Sequence, residues 1–135
     1  MLSPANQTSY ETFIDACVEI LGPSKLICDA DERAPFETDW LGQNSTAALA
    51  VAFPESTAEV AEVVTLCARE GIAIVPQGGR TGLAAGAVPT ADRPSLIVSL
   101  SRMSRIRNID VQGRSAVVEG GLCWKPCKTQ SANMI

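Results

Sequence analysis

The sequence contains no histidine, and this absence removes several kinds of chemistry. None of its 135 residues is histidine. The chain therefore cannot by itself build an imidazole-ligated metal site, a Ser-His or Cys-His nucleophile pair, or an imidazole proton relay. We accordingly expect no metal site and assign no catalytic residue within this chain.

Long hydrophobic runs and an excess of basic charge are also lacking. No stretch approaches the roughly 18 apolar residues that a membrane-spanning helix needs. The first residues also lack the basic-then-apolar order of a secretory signal. We therefore expect a cytoplasmic protein with no membrane span. The net charge of −4 predicts no nucleic-acid partner, because such binders carry a basic footprint.

The cysteines show no pattern typical of a metal site. There are five of them, an odd number, and none is spaced as the C-x-x-C pair of a zinc site. We interpret them as reduced and mostly structural thiols: Cys17, Cys28, Cys67, Cys123 and Cys127. The composition is otherwise globular, with 46% hydrophobic and 19% charged residues.

Residues 1–46 predict one helix followed by a loop. Apolar residues recur at three- and four-residue steps over residues 9–21, and Gly22-Pro23 follows as a stop signal. Residues 29–46 show neither helical nor strand period and predict an ordered or semi-ordered loop. Within this loop, Asp39-Trp40 favours a buried tryptophan beside a capping aspartate. Packing against a neighbouring domain or an adenine ring is the alternative.

Residues 47–121 predict strands and a helix that together indicate an α+β protein. Residues 47–53 form a short apolar run closed by Pro54 and predict a strand. A helix is predicted over residues 57–70. Its signals are a capping box of Ser56 and Glu59, an apolar stripe of Val60, Val63, Val64 and Cys67, and Gly71 as the C-terminal cap. Residues 72–75 predict a second buried strand, which completes an α/β-like β-α-β start. Further strands are predicted over residues 95–100, 105–111 and 115–119.

A glycine-rich loop follows the strand that is predicted over residues 72–75. Four glycines lie within nine positions, so successive backbone N–H groups can converge on an anion as a phosphate-binding nest. The loop lacks the lysine of a Walker loop, and its spacing is not the G-x-G-x-x-G of a Rossmann fold. We expect an irregular loop and no helix beginning at Gly79. From glycine content alone, a surface loop without function is equally compatible.

The combined motifs resemble the FAD-binding domain of the vanillyl-alcohol-oxidase and p-cresol-methylhydroxylase type. The similarity covers roughly residues 37–121 and is greatest to the FAD-linked D-2-hydroxyacid dehydrogenases that act on D-lactate, glycolate or D-2-hydroxyglutarate. It is carried by Phe53-Pro54-Glu55-Ser56-Thr57, Ile74-Val75-Pro76-Gln77-Gly78-Gly79-Arg80-Thr81-Gly82-Leu83, Gly86-Ala87-Val88-Pro89, Leu100-Ser101-Arg102-Met103 and Val117-Val118-Glu119 with Gly121. The resemblance implies that residues 47–121 are the first half of a truncated FAD-binding domain.

This resemblance implies a cofactor site in the glycine-rich loop. The implied FAD-binding residues are Pro76, Gln77, Gly78, Gly79, Arg80, Thr81, Gly82, Leu83, Gly86 and Ala87. The backbone from Gly78 to Gly82 would cradle the pyrophosphate, and the Thr81 hydroxyl could add a donor. Arg80 stands where related covalent flavoproteins carry the histidine that bonds the isoalloxazine, so non-covalent FAD is implied. For Arg80 a solvated loop residue, and for Thr81 a hydroxyl bonded within the loop, are the alternatives.

The resemblance also implies a reaction and partners. The family oxidises a D-2-hydroxy acid to the 2-oxo acid by hydride transfer to flavin, so its partners are a small 2-hydroxy acid and an electron acceptor. The alternative is a non-catalytic fragment or a weak nucleotide-binding module. The basic stretch of Arg102, Arg105, Arg107 and Arg114 favours a solvated face, with contact to phosphate as the alternative. We expect Met103 and Ile106 in the core, and no catalytic role for Glu119.

Residues 122–135 are expected to be an aberrant tail. They show no helical period and contain Pro126, where the family continues with a helix. Reading the same bases one position earlier, from the codon of Cys123, allows Leu-Glu-Ala-Leu-Gln-Asn-Ala-Val-Ser-Glu-His-Asp. This is an amphipathic helix with apolar residues at three- and four-residue steps. We therefore predict that one base was lost near that codon, with a genuine divergent C-terminus as the alternative.

Overall fold

A four-stranded mixed sheet with helices packed on one face forms the centre of the molecule. The computed structural model describes residues 4–123. In chain order its elements are α1 (Pro4–Leu21), β1 (Leu26–Ile27), α2 (Ala30–Arg33), β2 (Ala50–Ala52), α3 (Thr57–Glu70), β3 (Ala73–Gln77), β4 (Ser95–Ser99), β5 (Ile106–Asp110) and β6 (Ser115–Val118). The predicted α+β class is confirmed. None of the described helices is long and apolar enough to cross a bilayer.

The sheet has the order β1-β2-β4-β3, and its last three strands run parallel. β1 pairs antiparallel with β2 at one edge, and β3 forms the other edge. The strand predicted over residues 72–75 continues through Pro76 to Gln77, where it pairs with Ser99. An edge strand tolerates a proline because it has a ladder neighbour on one side only.

Helix α3 begins and ends where the sequence predicts. The Ser56 hydroxyl accepts the N–H of Glu59 at 3.2 Å, and Gly71 closes the helix with a left-handed φ of 68°. The Glu59 carboxylate does not complete the predicted capping box on Ser56. It accepts the N–H of Glu55 at 2.8 Å and the Lys25 ammonium at 2.8 Å.

The core lies on both faces of the sheet because alternate strand residues point to opposite sides. On one face α1 and α3 cover a cluster that includes Cys17, Cys67, Val63, Leu96 and Val98. On the other face a smaller cluster contains Ala48, Val51, Phe53, Val75 and Ile97, with Ile27 and Phe36 packed against it. Phe36 belongs to residues 34–46, which we call the N-terminal segment.

Three local predictions are corrected by the structure. The first helix extends to Pro4, and the predicted loop contains α2, whose N-cap Asp29 accepts the N–H groups of Asp31 and Glu32. This helix is missed because four residues are too few to show a period. Val64, which the apolar stripe places in the core, is 42% exposed, and the buried position belongs to Leu66.

The β5–β6 hairpin forms a second sheet of two antiparallel strands. Its strands are mostly exposed, and Val117 and Val118 are 54% and 42% exposed. The hairpin lies between a short 3₁₀ turn (Leu100–Arg102) and Gly120-Gly121. Of the two predicted core residues, Met103 is buried at 8% exposure and Ile106 is half-buried.

Candidate functional site

The loop of residues 78–87 lies at the carboxyl end of β3 and is irregular throughout. No helix begins at Gly79, which confirms that prediction. The backbone reverses at Arg80 and Ala85, both of which have a left-handed φ of 54°. A left-handed residue after a glycine is a geometry that turns successive N–H groups toward one side.

The loop surface is open to a ligand. Within residues 4–123, none of the backbone N–H groups from Gly78 to Leu83 donates to another backbone group. A Cβ atom added at Gly79, Gly82 or Gly86 would meet no atom within 4 Å. Exposed, unpaired N–H groups on an unobstructed backbone are suited to bind an anion such as a phosphate.

The buried side chain of Gln77 connects the loop to the N-terminal segment. Its amide nitrogen donates to the carbonyl of Phe36 and to that of Ala87, both at 2.7 Å. The side chain is 1% exposed, and its Oε1 is buried without a hydrogen-bond partner in the described structure. The two carbonyls fix the amide orientation because only the NH₂ group can donate to both. Gln77 thus holds the end of the loop and residue 36 against the end of β3.

Arg80 makes a second connection to the N-terminal segment. Its guanidinium donates to the carbonyl of Pro35 and lies 4.6 Å from the centroid of the Phe36 ring. This is a cation–π arrangement. Arg80 is half-buried, and these two contacts engage one face of its guanidinium and one of its five N–H donors.

Two phenylalanines on the same face of the sheet link this contact to Arg102. The rings of Phe36 and Phe53 meet edge to face at 5.3 Å, and the Arg102 guanidinium lies 5.4 Å from the centroid of Phe53. Arg102 also donates to Glu55 at 3.1 Å and to the Ser24 carbonyl at 3.0 Å. The row Arg80–Phe36–Phe53–Arg102 therefore lies beside the ends of β2, β3 and β4.

The Asp39-Trp40 turn lies beside the loop. The Asp39 carboxylate accepts the N–H of Gln43 at 2.8 Å and the Asn44 side-chain amide at 2.7 Å, and the hydrogen bond from Asn44 lowers its pKa. The predicted capping aspartate is confirmed. The predicted buried tryptophan is wrong, because Trp40 is 67% exposed in the turn that Asp39 caps. A cavity of about 200 Å³ lies between this turn, Gly79 and Arg80.

Gly120 and Gly121 allow a close approach of two chain segments near the loop. A Cβ atom on Gly121 would lie 1.7 Å from the Leu100 carbonyl oxygen, so only glycine fits there. A Cβ atom on Gly78 would lie 3.2 Å from the Gly120 carbonyl oxygen. Residue 120 is thus brought against the first glycine of the loop, which the sequence pattern alone does not reveal.

Glu119 anchors much of the basic stretch. Its side chain, 3% exposed, accepts the N–H of Arg105 at 2.9 Å and the Arg107 guanidinium at 3.1 Å. The backbone hydrogen bond from Arg105 is the largest cause that lowers its pKa. Arg102 is likewise paired with Glu55. The expectation of a solvated basic face holds for these three arginines, which are exposed, and each is in addition paired with a carboxylate.

The structure brings the ten residues singled out by the sequence together at one sheet edge. Pro76, Gly78, Gly79, Thr81, Gly82, Leu83 and Gly86 are exposed, Arg80 and Ala87 are half-buried, and Gln77 is buried. Sequence reasoning missed Pro35 and Phe36, which contact this site from more than 40 residues away. Within the described residues, no group of three or more His, Cys, Asp or Glu side chains could hold a metal ion.

The described residues thus form a mixed sheet with an open, glycine-rich loop at a strand end, and this loop has neither the Rossmann nor the Walker spacing. Residues 48–133 match the family described as FAD binding domain. The chain belongs to this family.

The matched relatives are longer proteins. The chain is 34% identical over 109 residues to D-2-hydroxyglutarate dehydrogenase of Stutzerimonas stutzeri, covering 81% of this chain and 23% of the relative. It is 33% identical over 103 residues to the mitochondrial D-2-hydroxyglutarate dehydrogenase of Arabidopsis thaliana, covering 76% and 18%. The chain thus spans less than a quarter of the length of these curated relatives.

Solved structures share the fold. p-Cresol methylhydroxylase with substrate bound superposes with a TM-score of 0.80 at 23% identity, over 94% of this chain and 25% of that one. Alkyldihydroxyacetonephosphate synthase gives 0.81 at 20% identity, over 93% and 25%. The predicted p-cresol-methylhydroxylase type of FAD-binding fold is confirmed.

Proposed function

We propose that the loop binds the pyrophosphate of FAD. The backbone N–H groups from Gly78 to Gly82 cradle the phosphates, and the exposed Thr81 hydroxyl adds a donor. Gly86 and Ala87 close the loop around the cofactor, and the site is bordered by Pro76, Gln77 and Leu83. The observation that carries the proposal is the row of exposed N–H groups without backbone acceptors at the end of β3. Hydrogen bonds from N–H groups to a charged phosphate are about twice as strong as neutral ones.

The cofactor is held without a covalent bond in this proposal. Arg80 occupies the position of the linking histidine in related covalent flavoproteins, and the chain has no histidine. A guanidinium is protonated at all relevant pH values and is a poor nucleophile. Its contacts with Pro35 and Phe36 also direct it to the N-terminal segment.

The reaction proposed for a complete protein containing this domain is oxidation of a D-2-hydroxy acid to the 2-oxo acid. FAD supplies the hydride acceptor when it is bound, and a separate acceptor then takes the electrons. The support is the similarity to D-2-hydroxyglutarate dehydrogenases. The chain's own part is to bind and orient the cofactor. Its partners are thus a small 2-hydroxy acid and an electron acceptor, and no nucleic acid.

A cytoplasmic location is part of the same proposal. Its support is the pair of buried, unpaired thiols at Cys17 and Cys67, which suits a reducing compartment. Eukaryotic relatives such as that of Arabidopsis are named as mitochondrial, whereas the Stutzerimonas protein is not. Cell fractionation followed by immunoblotting tests the location.

Binding of FAD by the 135-residue chain is tested by titration with and without a change at Gly79. Gly79→Ala places a methyl group in open space on the loop, so the fold should remain while the phosphate is obstructed. We expect FAD affinity to fall about tenfold or more, since a single obstructed charge-assisted contact costs about 1.5–3 kcal/mol. Ala68→Ser, on the exposed face of α3, is the control of similar size. Equal affinity of all three proteins contradicts the proposed site.

A further inference from the structure

We propose that Gln77 and Arg80 are positioning residues that lock the N-terminal segment onto the cofactor loop. The segment would then be a working part of the cofactor site, although the family match begins only at residue 48. This inference rests on the proposed function for its consequence in FAD binding, but its structural part can be tested without any cofactor.

Gln77 lies between the N-terminal segment and the exit of the cofactor loop and contacts both. Its side-chain amide donates to carbonyls on two separate pieces of chain, Phe36 before the sheet and Ala87 at the loop exit, both at 2.7 Å. Since the group is 1% exposed, water cannot replace these hydrogen bonds if one piece moves away. Displacing either piece therefore leaves a buried donor unpaired and disturbs the other.

Arg80, within the loop, makes a second contact with the N-terminal segment. Its guanidinium engages the Pro35 carbonyl and the Phe36 ring, at 4.6 Å from the ring centroid. Arg80 has a left-handed φ of 54°, which is uncommon for a residue other than glycine. The contacts of its side chain stabilise this backbone reversal, and the reversal sets the direction of the neighbouring N–H groups.

The N-terminal segment itself is firmly attached. Glu37, 8% exposed, accepts the N–H of Ala48 at 2.9 Å and pairs with Arg33 at 3.0 Å. The Phe36 ring packs edge to face on Phe53, directly after β2. The segment can therefore hold the loop in place, because it is itself bound to the sheet.

The test compares hydrogen–deuterium exchange in residues 34–46, and the rate of tryptic cleavage after Arg80, in the 135-residue chain and its variants without FAD. The amides from Gly78 to Leu83 have no backbone acceptor, so cleavage after Arg80 rather than amide exchange reports release of the loop. Gln77→Leu should speed both exchange in residues 34–46 and this cleavage about tenfold, since two hydrogen bonds from a buried group are lost. Phe36→Leu should speed cleavage after Arg80, whereas Phe36→Tyr keeps the ring under Arg80 and should match the wild type. Arg69→Gln, an exposed arginine on α3, is the control and should change nothing.

Exchange in α3 and β4 reports whether each variant stays folded. If Gln77→Leu also loses protection there, the Phe36 pair decides, because that side chain is partly exposed and its removal leaves the sheet intact. The proposal is overturned if exchange in residues 34–46 rises while cleavage after Arg80 keeps its wild-type rate. It is equally overturned if Phe36→Tyr and Phe36→Leu behave alike.

A second arm adds FAD. Binding at the loop should slow exchange in residues 34–46 of the wild type, and this protection should be absent in Gln77→Leu, because coupling between two sites is reciprocal. FAD affinity of Gln77→Leu should be about tenfold lower. A wild-type chain that binds no FAD contradicts the proposed function only, since the cofactor-free exchange comparison still decides the inference.

Discussion

At the scale of single residues, burial separates two kinds of cysteine in this chain. Cys17 and Cys67 are fully buried between α1 and α3, whereas Cys28 and Cys123 are exposed. Burial, followed by the nearby Cys67, raises the pKa of Cys17 to about 12, and burial raises that of Cys67 to about 11. The thiolate is the reactive form of cysteine, so Cys17 and Cys67 should be unreactive. This agrees with the interpretation of the cysteines as mostly structural thiols.

Alkylation with iodoacetamide at mildly alkaline pH tests this difference. Cys28 and Cys123 should be modified, while Cys17 and Cys67 should react on the order of 100-fold more slowly in the folded protein, because little thiolate forms and access is blocked. Peptide mapping by mass spectrometry assigns each site. In denaturant the four thiols should react alike, and rapid native labelling of Cys17 would contradict the structure.

At the scale of elements, one carboxylate joins the two ends of the exposed β5–β6 hairpin. The β5–β6 hairpin has no cluster of buried side chains of its own, yet Glu119 at its end accepts from Arg105 and Arg107. These hydrogen bonds hold the pKa of Glu119 below its ordinary value of 4.5. The same residue precedes Gly120, which contacts the first glycine of the loop.

Stability should therefore depend on pH through Glu119. Because its pKa is lower in the folded state, the unfolded state binds more protons in acid. The contribution is fully present above the unfolded value of about 4.5 and is lost as the pH falls through the lowered folded value. The urea concentration at half-unfolding should be measured between about pH 6 and pH 3. As the pH is lowered, it should fall more steeply for the wild type than for Glu119→Gln.

Glu62→Gln, an exposed position on α3, is the matched control for this experiment. It should keep the slope of the wild type. If the urea midpoint falls with pH at the same slope in Glu119→Gln and the wild type, the contacts of the Glu119 carboxylate add nothing to stability.

At the scale of the whole molecule, the proposed function gives this chain one end of a cofactor site. The loop at the end of β3 is suited to hold a pyrophosphate, and the chain covers less than a quarter of the dehydrogenases it resembles. Hydride transfer requires the ring system and the substrate carbon in near-attack geometry. No described residue has been assigned to that task.

Flavin bound to the chain, or to a longer version that contains it, should be released by acid precipitation. The proposed function gives Arg80 no covalent bond to the flavin, so denaturation should remove every contact that holds the cofactor. The supernatant should contain the flavin absorbance and the pellet should be colourless. Flavin retained in the pellet and mapped to residue 80 would contradict the proposal.

Turnover should be absent from the 135-residue chain. We expect no dye reduction with D-lactate, glycolate or D-2-hydroxyglutarate in the presence of excess FAD, whereas a version read one base earlier from the codon of Cys123 onward should be active. The predicted change of frame affects residues 124–135, which lie outside the described residues, and sequencing the DNA after the codon of Gly121 tests it directly. Comparable turnover by both proteins would contradict both the assignment and the predicted frame change.

Local signals in the sequence were sufficient for much of the fold and for the irregular form of the glycine-rich loop. Helix α3 could be predicted to the residue because Ser56 and Gly71 act on neighbouring backbone groups. The loop could be predicted as irregular because its glycine spacing excludes a regular helix start. Trp40 could not be placed, since its exposure results from the turn that Asp39 caps, and no periodicity reports it.

The sequence by itself determined most of the longer elements, the glycine-rich loop and the family, because these depend on residues close together in the chain. Only the tertiary structure decided that β4 lies between β2 and β3, and that Phe36 meets Gln77 and Arg80 across more than 40 residues. The physical reason is that such contacts arise when separate segments bury a common surface. Which partners meet there depends on how the whole sheet packs.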